Sequence, residues 1–164
     1  MTHSKLFKTP VTVAGKINRL YQLLVLEKGA FEQVASHVTD NALRLTILSL
    51  AQQNNQYAAE LSSYLQATGT TGYLTEKLPG ADRRPETGKD IFPDESRVLA
   101  FCSNNERKLV TAYRKILDES ALYEGLQKMM GYQLNGILSA SMQLKLLSSV
   151  KKRYHSRRWQ SAAT

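Results

Sequence analysis

The sequence predicts an all-α fold, a four-helix bundle made of two helical hairpins joined by a long crossover loop. Three observations carry that prediction. Four long segments repeat apolar residues at spacings of three, four and seven, as a helix with one buried face does. The two halves of the chain align at an offset of 79 residues, which lays Glu27 on Glu106 and Asp40-Asn41-Ala42-Leu43 on Glu119-Ser120-Ala121-Leu122. The segments are joined by a short turn, a 25-residue irregular stretch and another short turn, which is bundle connectivity.

Taken in order, residues 1–13 lack periodicity and read as a loose N-terminal arm. The first helix is expected over 14–38, with Ile17, Leu20, Leu24, Phe31, Val34 and Val38 on one face and Glu27 inside the series. Thr39, Asp40 and Asn41 supply turn and N-cap chemistry. The second helix, over 42–68, carries Leu43, Ile47, Leu50, Asn54, Tyr57 or Ala58, Leu61 and Leu65. Gly69 and Gly72 end it.

Glycines and prolines punctuate residues 69–93. A bundle helix of about 25 residues is roughly 37 Å long, so a connection of that length suits a crossover from one end to the other. Asp94 is the expected N-cap of the third helix, over 94–117, whose stripe includes Val98 or Leu99, Cys102, Glu106, Leu109 or Val110, Tyr113 and Leu117. The fourth, over 121–154, runs through Leu122, Leu126, Met129, Gln133, Ile137, Ala140, Leu144 and Leu147. Gly125, Gly131 and Gly136 suggest close helix contact or a kink there. Residues 155–164 are expected to be a frayed basic tail.

Composition sets further bounds. With 164 residues and 42% apolar content, the chain suits a single domain with a real core. One cysteine excludes an internal disulfide framework and fits a reducing compartment. The absence of a long apolar run or signal core points to a cytoplasmic protein without a membrane span. The formal net charge is +8, and Lys151, Lys152, Arg153, Arg157 and Arg158 concentrate it near the end. Beside Trp159, they form a candidate contact for nucleic acid or another acidic partner. The alternative is a solvated helix end whose cations favour the negative pole of the helix dipole, with Trp159 packed on the end of the bundle.

Polar residues interrupt the apolar stripes once per helix: Glu27, Asn54, Glu106 and Gln133. Their distances from the turns put them at similar depth, with Tyr57 one turn from Asn54. They read as an interior polar layer in which each carboxylate accepts hydrogen bonds from Asn54, Gln133 or Tyr57, a device that fixes helix register at some cost in stability. A site for a metal or small ligand between Glu27 and Glu106 is the functional alternative. Glu32 and Glu60 lie off the stripes and are expected to be solvated. Cys102 lies on a stripe without a nearby histidine and reads as core.

Several stretches, Leu26-Glu27-Lys28-Gly29-Ala30-Phe31, Gln56-Tyr57-Ala58-Ala59-Glu60-Leu61, Cys102 to Glu106 and Ala112-Tyr113-Arg114-Lys115-Ile116-Leu117, resemble a bacterial family of small ferritin-like four-helix proteins known as a domain of unknown function. The likeness spans roughly residues 15–150. It implies the ferritin-like fold, in which two helices each give a Glu and the other two each give Glu-x-x-His around two metal ions. Glu27 and Glu106 match the single-Glu positions. Asn54-x-x-Tyr57 and Gln133-x-x-Gly136 stand where Glu-x-x-His is required, and His3, His37 and His155 lie elsewhere.

No Gly-rich phosphate loop, Ser-His-Asp order or Cys-x-x-Cys pair is present, so no catalytic residue is assigned. The expected function is that of a non-catalytic, structural or stress-associated bundle with a degenerate di-metal site and no resident cofactor. The alternative is an oxidase or iron-handling protein using iron or another divalent metal at Glu27 and Glu106. A third reading is a binder of nucleic acid or an acidic partner through the tail. One self-contained bundle and a homodimer that shares its hairpins are both compatible with the stripes.

Overall fold

Four α-helices make up the computed structural model, which describes residues 11–68, 94–119 and 122–162. They are α1 (Val11–His37), α2 (Asn41–Ala67), α3 (Glu95–Leu117) and α4 (Glu124–Ala162). Among the described residues there is no strand, in line with the all-α expectation.

Two aspartates set where α2 and α3 begin. Asp40 has extended backbone and accepts a 2.7 Å hydrogen bond from the Leu43 amide, and Asp94 accepts one of 2.8 Å from the Arg97 amide. Each satisfies a donor that the first helical turn leaves unpaired. That amide bond, with Lys151 nearby, holds the Asp40 carboxyl below its ordinary pKa.

Helix directions follow from side-chain pairs. Lys16 near the start of α1 pairs with Glu119 just beyond α3, while Phe31 meets Phe101 edge to face at 6.4 Å. Helices α1 and α3 therefore run antiparallel. Helix α4 opposes α3, because Tyr113 bonds Gln133 and Lys151 pairs with Glu95. Lys151 also lies 3.6 Å from Asp40, tying the α1–α2 turn to the same corner.

The expected α1 and α2 stripes are core, but on α3 and α4 Ile116 and Met130 are buried where Leu117 and Met129 were expected, and Leu122 and Leu147 are only partly buried. Ile17, Leu20 and Leu24 pack with Leu61, Leu65, Leu109, Tyr113, Ile116, Leu126, Met130 and Ile137 in one cluster. Phe31, Val34, Leu43, Ile47, Leu50, Val98, Leu99, Cys102, Ala140 and Leu144 form the other. On α1 the boundary falls at Glu27, on α2 near Asn54, on α3 at Glu106 and on α4 between Ile137 and Ala140.

Some boundaries move. Helix α1 already begins at Val11, and α4 begins at Glu124 rather than 121 and continues to Ala162, eight residues past Tyr154. The tail expected to fray from 155 is helical to that point. The first ten residues of the expected arm, the crossover stretch 69–93, turn residues 120–121 and the last two residues lie outside the described residues.

Of the glycines on α4, only Gly136 marks a close approach. A Cβ there would overlap the Tyr57 hydroxyl and lie 3.1 Å from the ring carbon that bears it, whereas nothing lies within 4 Å at Gly125 or Gly131.

Candidate functional site

Glu27 and Glu106 reach the boundary between the two apolar clusters because each replaces a hydrophobe on an otherwise buried stripe. They are 3% and 0% exposed, and Asn54 is 0%. Both oxygens of each carboxyl, and both polar atoms of Asn54, are buried without a hydrogen-bond partner. The expectation that Asn54, Gln133 or Tyr57 would donate to the carboxylates is therefore overturned. Burial pushes the Glu27 carboxyl up to about 9, with Glu106 adding to the rise and Lys108 opposing it. Burial pushes Glu106 up to about 8. At neutral pH the favoured state of the pair is two neutral carboxylic acids.

Gln133 does not join this layer. Its carbonyl accepts a 2.8 Å bond from the Tyr113 hydroxyl, and its amide nitrogen donates to Glu60 at 2.7 Å. Gln56 donates to the other Glu60 oxygen at 3.0 Å. Tyr113 is seven residues beyond Glu106 and Glu60 six beyond Asn54, and their side chains reach Gln133 about one helical turn, roughly 6 Å, along the bundle from the carboxylate layer.

The cause is the second turn. The helices α1 and α3 end 80 residues apart, but α2 and α4 begin 83 apart. The 79-residue alignment therefore slips by four residues, about one helical turn, in the second helix of each hairpin. Asn54 corresponds in depth to the neighbourhood of Ile137, not to Gln133.

Glu60, off the stripe and expected to be solvated, is a second departure. It is half-buried and anchors the Tyr113–Gln133–Glu60–Gln56 chain. Its spacing of three from Tyr57 and four from Gln56 was the available signal, since residues so spaced share a helix flank. Glu32 is exposed as expected, 3.4 Å from Lys28. Buried Asn18 and Asn105 were not singled out. Removing the Tyr113 hydroxyl leaves the Gln133 carbonyl buried without a donor. Tyr113→Phe is expected to cost about 1–3 kcal/mol in chemical denaturation.

Tyr57 is buried but turns its hydroxyl to the α4 backbone at Gly136. Burial, with Tyr132 and Glu60 adding, raises its pKa. Cys102 is fully buried and its thiol is pushed up to about 12 by burial, with Glu106 adding, so it stays protonated and serves as core.

No protein-family model matches the chain, and no curated protein does.

The donor set decides what the layer can hold. Among the described residues no three His, Cys, Asp or Glu side chains converge. Two carboxyls and an amide oxygen do not fit a di-iron or di-manganese centre, which needs further carboxylate and imidazole ligands to neutralise and hold two cations. They could supply oxygens to one hard divalent cation after losing their protons, so its affinity would rise with pH.

The basic tail presents a mixed result. Lys151 is bound in the corner with Asp40 and Glu95 and is not a free contact. Lys152, Arg153, Arg157 and Arg158 are exposed on the last turns of α4, and Trp159 is 77% exposed rather than packed on the bundle end. No helix among the described residues is long and apolar enough to cross a membrane.

Proposed function

We propose that this chain is a ferritin-like four-helix bundle acting as a non-catalytic structural or stress-associated protein, with an interior layer that is the remnant of a di-metal site. The composition of that layer carries the reading: Glu27 and Glu106 occupy the centre, while Asn54 replaces an acid and Gln133 is engaged elsewhere. The helix order adds support, because the end of α2 shares a cluster with the start of α1, while the start of α3 shares one with the end of α1. Protein expressed with added iron and manganese should carry well under one transition metal per chain by elemental analysis. Two irons per chain, with oxygen uptake on Fe(II) addition, would overturn the proposal.

The orphaned oxygens favour a second reading, a single divalent cation bound by Glu27, Glu106 and Asn54. On that reading manganese raises the melting temperature more at pH 9 than at pH 6, and Glu27→Ala or Glu106→Ala removes the effect. An unchanged melting temperature at both pH values counts against it.

A further inference from the structure

The fold gathers basic residues that are scattered in the sequence. A trough of about 900 Å³ runs between α1 and α3, and none of the described residues that line it is acidic. Its apolar lining comes from Leu20, Leu23, Phe101, Ala112 and Ile116. Lys16 and Arg19 on α1, and Arg107, Lys108 and Lys115 on α3, supply the charge. The sequence shows its basicity in the tail, because these other cations lie about 90 residues apart in two helices that only the antiparallel packing brings together.

We propose that this trough is a docking site for an acidic amphipathic helix of a partner protein. Lys16 is paired with Glu119, but Arg19, Arg107, Lys108 and Lys115 are exposed and make no ion pair among the described residues. The charges form two groups. Antiparallel packing puts Lys16 and Arg19 beside Lys115, while Arg107 and Lys108 lie about two turns, or ~11 Å, back along α3. Leu20, Leu23 and Ala112, with Thr111 beside them, separate the two groups.

A single carboxylate on an acyl chain would satisfy one group and leave the other unpaired. Nucleic acid would set hydrated phosphates against a largely aliphatic floor whose one ring among the described residues, Phe101, is half-buried and packed edge to face against Phe31. A helix with acids two turns apart flanking an apolar stripe matches both the charge spacing and the floor. From Phe101 to Ile116 the trough is about 22 Å long, room for about four turns of such a helix. This inference is independent of whether the interior layer holds a cation.

Fluorescence anisotropy with the full chain tests it. The probe is a labelled helical peptide of about four turns, with glutamates two turns apart beside a leucine stripe. The comparison probes are the same composition scrambled, a single-stranded DNA oligonucleotide and phosphatidylglycerol vesicles. The ordered peptide should bind at least tenfold tighter than the scrambled one. Arg19→Glu with Lys115→Glu should weaken it at least tenfold, while Arg157→Glu with Arg158→Glu leaves it unchanged. Circular dichroism checks folding, and Arg19→Gln with Lys115→Gln, expected to lose several-fold, replaces a charge-reversed protein that does not fold. Equal binding of the scrambled peptide, tighter binding of DNA or vesicles, no binding at all, or no effect of the trough substitutions overturns the proposal.

Discussion

Replacing both Glu27 and Glu106 by glutamine should abolish a loss of stability that the unsubstituted protein shows as pH rises. Folding raises both carboxyl pKa values, to about 9 and about 8, whereas the unfolded chain releases these protons near pH 4.3 or a little above. Above that point the native state binds more protons than the unfolded state, so stability falls with increasing pH. The stabilisation is complete below the unfolded value and is lost as pH climbs through the folded values. Each carboxyl contributes a slope of up to about 1.4 kcal/mol per pH unit within that window. Urea denaturation between pH 5 and pH 8 should register a loss of at least about 2 kcal/mol, and the double glutamine protein should give a nearly flat profile. A flat or rising profile in the unsubstituted chain would show that the carboxyls have found partners. Glu106→Leu should exceed the unsubstituted chain in stability at pH 8, since a buried ionisable group without partners is less favourable there than a hydrophobe of similar size.

Gly136→Ala should destabilise the protein by about 1–3 kcal/mol, although alanine is the better helix former. The added methyl meets the Tyr57 hydroxyl and ring, and Tyr57 is held in the core cluster and cannot swing into solvent freely. Gly131→Ala, with open space at that position, should instead gain up to about 1 kcal/mol. Thermal melts of the two variants would therefore move in opposite directions. Adding Tyr57→Phe to Gly136→Ala should restore part of the loss by removing the nearest clashing atom. Two alanine variants of equal stability would rule out the close approach.

Much of the architecture was legible because a buried helix face imposes its period on the sequence. Nearly every residue of the expected α1 and α2 stripes is buried, and the aspartate caps fall where chain reversal needs an acceptor. The interior carboxylates were legible for the same reason, each being a charge in an apolar period. Their environment was not. Whether Gln133 stands level with Glu106 depends on the length of the second turn, and periodicity is blind to a one-turn slip because the same face stays inward. Glu60 was lost for a related reason: a residue on the flank of a stripe can face water or a neighbouring helix, and the neighbour's register decides which. The trough between α1 and α3 needed the pairing of two helices distant in sequence, which no local pattern contains.

The slip between the hairpins bears on how such a bundle could be rebuilt. Symmetry between the halves invites a designer to place ligands at aligned positions, Asn54 and Gln133. Those side chains lie on different floors of the bundle, so acids introduced there would never share an ion. A complete cage around Glu27 and Glu106 would draw its α4 ligand from the Ile137–Ala140 stretch, and Gln133 would best be left to its tyrosine.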